Sequence, residues 1–150
     1  MSRFVYFVAL LIVCPPLLAD NFCDKAYWDA SLVIEEKKCC KNAELGNDDA
    51  QFGYGLILLS GHNRVSKPKE AIEWIKNSAK QGNHLAQTLL GRMLSDSRFG
   101  IPLNFPEAYA WWAVSNNSKS ANELWFRLTL EQQEKAIELA KKYASINSSK

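Results

Sequence analysis

Little in this chain is equipped for catalysis or for metal. Two histidines, His62 and His84, and four cysteines are spread over 150 residues, with no spacing that would close a four-ligand site. There is no nucleophile elbow, no zinc-binding pair of histidines on one helix, no phosphate loop and no dinucleotide fingerprint. Ser60-Gly61-His62 puts a hydroxyl beside an imidazole in sequence only, and neighbours in sequence seldom point at one another. Glu35-Glu36 and Asp48-Asp49 are read as solvated faces, the second pair also complementing a helix N-terminus. The expectation is therefore no catalytic residue, no metal ligand and no cofactor. An excess of one charge is missing too: 18 Lys and Arg against 16 Asp and Glu leave +2, which calls for no nucleic acid. No apolar run approaches the roughly twenty residues that cross a bilayer as a helix. What remains, at 47% apolar and 23% charged, is the composition of one globular domain with an adequate core.

The front of the chain is an address. Arg3 precedes an apolar run from Phe4 to Val13, Pro15-Pro16 breaks it, and Leu17-Leu18-Ala19 follows. That layout predicts a signal peptide over residues 1–19, cleaved after Ala19, with a periplasmic or secreted product and no membrane span after cleavage. Val13 is too bulky to favour lipidation at Cys14. Cleavage removes Cys14 and leaves an odd number of thiols, Cys23, Cys39 and Cys40, in an oxidising compartment. Adjacent cysteines pair only under strain, so Cys23 is expected to bridge to Cys39 or Cys40. One straight helix at about 1.5 Å per residue would hold Cys23 and Cys40 roughly 25 Å apart, so a bridge requires this segment to bend near Ala30 to Leu32.

The middle of the chain repeats itself. Gly46-Asn47-Asp48-Asp49-Ala50-Gln51-Phe52-Gly53-Tyr54-Gly55 returns 36 residues later as Gly82-Asn83-His84-Leu85-Ala86-Gln87-Thr88-Leu89-Leu90-Gly91. Glu70-Ala71 and Trp74 return as Glu107-Ala108 and Trp111 at an offset of 37. Each unit is expected to be two short amphipathic helices. Ala50, Tyr54, Ile57 and Leu58 stripe one first helix, and Ala86, Leu89, Leu90, Met93 and Leu94 the other. Ala71, Trp74, Ile75 and Ala79, then Ala108, Trp111 and Trp112, stripe the second helices. Gly46 and Gly82 suit a left-handed helix exit, Asn47 and Asn83 a helix N-cap, and Pro68 and Pro106 a first helical turn. Thr129-Leu130-Glu131-Gln132 is a capping box that opens a last helix, with Ala136, Leu139, Ala140 and Tyr143 on one face.

These residues resemble the Sel-one-like repeat family, relatives of the tetratricopeptide repeats, over Ala50 through Gly82 and again Ala86 through Trp112. The closing Ala-x-x-Gly of the family's unit is absent after Trp112, where Ser115-Asn116-Asn117-Ser118 intervenes, so a third repeat is degenerate or replaced by a cap. The resemblance implies an all-α fold, a short α-solenoid of two helical hairpins with terminal capping helices. The expected divisions are an N-terminal helical cap at 20–45, repeats at 46–81 and 82–118, C-terminal capping helices at 119–145 and a loose tail at 146–150.

Such a stack presents a concave face lined by first helices, and the positions left free by the repeat pattern, Asp49, Phe52, Leu56, Leu85, Thr88 and Arg92, are the expected partner contacts. Trp28, Phe52, Tyr109 and Trp125 are candidate anchors wherever they are exposed. The resemblance implies a scaffold rather than an enzyme, with a protein partner. Exported members resemble periplasmic immunity proteins that neutralise a secreted toxin, for example a lipase delivered between competing cells. An envelope or host-facing adaptor is the alternative. A cell-wall or β-lactam hydrolase comes third, because no convergent Ser, Lys or Glu set is evident.

Overall fold

The computed structural model describes residues 40–61 and 66–148, and every regular element among them is helical. After a helical turn at residues 40–44 come α1 (Asp48–Ser60), α2 (Pro68–Lys80), α3 (His84–Ser95), a 3-10 turn (Ser97–Phe99), α4 (Phe105–Val114), α5 (Ser118–Trp125) and α6 (Leu130–Ser148). The expected signal peptide, Cys23, Trp28, Cys39 and His62 lie outside the described residues.

Every helix except α2 begins where a side chain replaces the missing intrahelical partner of its first N–H groups. Asn47 Oδ1 accepts from Ala50 N–H at 2.7 Å, Asn83 Oδ1 from Ala86 N–H at 3.0 Å, and Asn104 and Asn117 serve α4 and α5 in the same way. Pro68 opens α2 and Pro106 stands in the first turn of α4, where the lost N–H costs nothing. At the head of α6 the capping box closes in both directions: Gln132 N–H donates to Thr129 Oγ1 at 3.3 Å, and Thr129 N–H donates to Gln132 Oε1 at 3.1 Å. Entry into α1 and α3 follows glycines at φ +90° and +95°, Gly46 and Gly82. The matching exit from α4 uses Asn116 at φ +60°, Asn being among the few L-residues that visit this region readily.

Packing is sequential, α1 on α2, α2 on α3, α3 on α4 and α4 on α5, as expected of an α-solenoid. The last helix breaks the series by returning to α4 and touching α2. The main core is built on Ile75, Leu90, Met93 and Trp111, all fully buried. Burying a tryptophan removes about 200 Å² from water, on the order of 5 kcal/mol of transfer free energy, so Trp111 anchors the seam between α4 and α6. Its ring stacks on Tyr143 with centroids 3.9 Å apart. Glu107 locks the same seam, accepting from Trp111 Nε1 and Tyr143 Oη at 3.4 Å each and from Asn104 Nδ2 at 2.9 Å.

The helices of each hairpin approach closely because the first carries a glycine where they cross. A Cβ on Gly55 would stand 2.6 Å from Ile75 Cγ1, and one on Gly91 2.6 Å from the indole of Trp112. Buried glutamines tie the hairpins together. Gln51 Nε2 donates to Ala43 O at 3.1 Å and Gln87 Nε2 to Ala79 O at 3.0 Å, satisfying carbonyls at the end of the preceding helix. The tail differs from expectation: α6 continues through Ser148, because Ala144-Ser145-Ile146 offers neither glycine nor proline to end it.

Candidate functional site

Where α3, α4 and α5 meet, they enclose an open groove of about 490 Å³. Phe105 and Trp112 of α4 contribute apolar surface, and Leu103, 48% exposed, stands at its edge. Trp112 is held in place because its Nε1 donates to Thr88 O across the helix pair at 3.1 Å. Asn117 and Ser120 line the side given by α5, and Thr88, Arg92 and Ser95 the side given by α3.

Two guanidinium groups face this space. Arg92 lies over the ring of Phe99 at 5.8 Å, and Arg127, from the turn after α5, lies over Phe105 at 5.7 Å. A cation seated on an aromatic face loses part of its rotational freedom in advance, so these charges are partly preorganised. The one carboxylate in the lining, Asp96, is bound to Arg98, whose Nε reaches its two oxygens at 3.0 and 2.9 Å and whose Nη2 is at 2.6 Å from Oδ2. Those side-chain hydrogen bonds, then the Arg98 backbone N–H, hold the Asp96 carboxyl down to about 2.

The six expected contacts do not converge. Thr88 and Arg92 line the groove. Asp49 is exposed beside the second repeat, accepting from Asn83 Nδ2 at 2.8 Å, and Leu85 is 65% exposed. Leu56 is half-buried, and Phe52 is half-buried against the main core, which removes it as an exposed anchor. Tyr109 and Trp125 pack into the same core, their rings 5.0 Å apart. Among the described residues the strongly exposed aromatic is instead Phe126, at 85%. Cys40 is half-buried with Sγ 3.7 Å from Glu44 Oε1. Among the described residues no three His, Cys, Asp or Glu side chains are grouped to hold a metal ion, and no helix is long and apolar enough to cross a membrane.

Sequence reasoning missed Arg127 and Ser120, because residues 119–145 were assigned to capping, and Asn117, because it was read only as part of the stretch that interrupts the repeat. A signal existed: the Gly-Asn pair that opens each first helix returns as Asn116-Asn117, 34 residues after Gly82, and marks α5 as the start of a third unit.

Helical hairpins stacked in sequence, with polar and apolar side chains sharing an open groove, define the class of repeat scaffolds that bind other proteins. Residues 48–83 and 84–114 match the family model described as Sel1 repeat, so this chain carries two such repeats. Repeats of this kind form protein–protein interaction modules. The crystal structure of a protective antigen present in uropathogenic Escherichia coli strains, displaying an SLR fold, superposes with a TM-score of 0.69 over 85% of this chain at 23% identity. The chain spans 31% of that antigen's length, and the likeness is one of fold. No curated protein is significantly similar in sequence.

Proposed function

We propose that this chain is an exported, non-catalytic binding module that seats a segment of a protein partner in the groove between α3, α4 and α5, and that the partner is a secreted toxin whose active site the bound chain occludes. The observation that carries the binding reading is the groove itself: preorganised cations and aromatic surface on a frame of interlocked helices. Support for the toxin comes from the exported Sel-one-like members that resemble immunity proteins and from the signal-like layout of residues 1–19.

The test is co-expression with the toxin, a lipase for example, encoded beside the chain's own gene. A one-to-one complex, lost turnover by the toxin and survival of the host cells are the expected results. Ser120→Trp, which fills the groove from the half-buried first turn of α5, should abolish both complex and protection. A complex in which the toxin keeps full turnover would defeat inhibition and favour an adaptor, and absence of any complex would defeat the toxin assignment.

A further inference from the structure

We infer that the groove selects an acidic segment of its partner, one in which two carboxylates flank an apolar side chain. The inference rests on the groove being the partner site and adds the chemistry of what enters it. Arg92 and Arg127 are both exposed, and neither forms an ion pair with a described residue. Asp96 cannot serve them well, since both of its oxygens already accept from Arg98. The lining thus holds two cations that form no ion pair with a described carboxylate, Arg92 keeping only a coulombic attraction to the Asp96 already held by Arg98, and each lies over a ring. Guanidinium groups so placed match carboxylates in charge and in fork geometry.

Neutral groups extend the match. Asn117 uses its oxygen to cap α5 through Ser120 N–H, which keeps the amide N–H2 available to donate to an incoming oxygen. In the same lining, Phe105 and Trp112 offer surface to an apolar side chain, and Trp112 makes no demand on a ligand because its N–H is already satisfied by Thr88. A purely apolar segment would desolvate both arginines without compensation, and a basic one would be repelled.

The test uses the full mature chain and fluorescence anisotropy with labelled peptides of about ten residues, a Glu-Leu-Glu core between Gly and Ser flanks, matched by Gln-Leu-Gln and Lys-Leu-Lys versions. The Glu peptide should bind at least about tenfold tighter than the Gln peptide, bind more weakly as salt rises, and lose at least about tenfold in affinity in the Arg92→Glu/Arg127→Glu double variant. Arg92→Lys/Arg127→Lys should retain part of the binding, a control that separates charge from misfolding, together with an unchanged helical spectrum. Equal binding of the Gln peptide would overturn the acidic preference. If that binding were still blocked by Ser120→Trp, the groove would stand as the partner site. Binding of no peptide, or of a short oligothymidylate more tightly than the Glu peptide, would overturn the inference, while partner capture in cells tests the broader reading separately.

Discussion

In the first two hairpins the glycine of the first helix, Gly55 or Gly91, lies under the side chain that follows the repeat's tryptophan, Ile75 or Trp112. At the matching place in the third unit, eight residues beyond the N-cap Asn117, stands Trp125, half-buried against Tyr109. Gln51 and Gln87 tie α1 and α3 to the helix before them, but Ala121 occupies their position in α5 and has nothing to donate. The end of α5 is tied forward instead, Gln133 Nε2 donating to Trp125 O at 3.1 Å. The repeat therefore continues only where a glycine leaves room for the crossing helix. Once tryptophan fills that gap, the next helix must dock elsewhere, and α6 turns back onto α4. The helix α5 also stops after 8 residues, against 13 in α1 and 12 in α3, so the last turn of α3, with Arg92, borders open space. The groove forms where the repeat gives out.

This contrast can be broken at several points. The largest effect is expected at the equivalent tryptophans: Trp111 is fully buried, whereas Trp74 is half-buried, edge-on to Tyr54 at 5.4 Å. Trp111→Ala should cost about 3–5 kcal/mol in denaturant unfolding, and Trp74→Ala clearly less. Next comes Gly91→Ala, whose methyl must displace the Trp112 indole and strain its bond to Thr88, at a cost of about 1–3 kcal/mol. Asn116→Ala forces an ordinary L-residue into positive φ and should cost about 1–2 kcal/mol, while Asn116→Gly should be tolerated.

A fourth change should make the second hairpin more like the first. In the first, Gln51 Oε1 accepts from Gln81 Nε2 at 2.8 Å; in the second, Gln87 Oε1 is buried without a partner among the described residues, since Ser115 stands where Gln81 does and is too short to reach it. Ser115→Gln should supply the donor and raise stability by about 1 kcal/mol, read as a higher melting temperature. The smallest effect is alkaline. Burial, then the charge of Glu107 and the hydrogen bond to it, pushes Tyr143 up to about 12 from 10.0. Its neutral form is favoured in the folded state, so that stabilisation is complete below pH 10 and disappears as pH rises through about 12. Tyrosine absorbance should follow this release, and Tyr143→Phe should remove the step.

The parts of the fold legible in the sequence were those where one residue type is nearly obligatory: glycine at a positive φ or under an indole, asparagine at an N-cap, proline in a first turn, the capping box before α6. The class followed from these once they recurred at a fixed period. The groove was only half legible. Thr88 and Arg92 lie on a repeat helix and could be placed by its periodicity, but Arg127 depends on where a short helix ends and a turn points, which no periodicity encodes. Phe52 is half-buried against the main core, which position on a helix does not reveal.

Hydrogen exchange across the full chain, with and without its bound partner, tests most directly whether the groove is the binding surface. Slowed exchange concentrated in the last turns of α3 and in Asn117 to Arg127, with the α1 face around Asp49 and Leu56 unchanged, is the expected result. Protection confined to α1, leaving the groove segments exchanging as in the isolated chain, would contradict it.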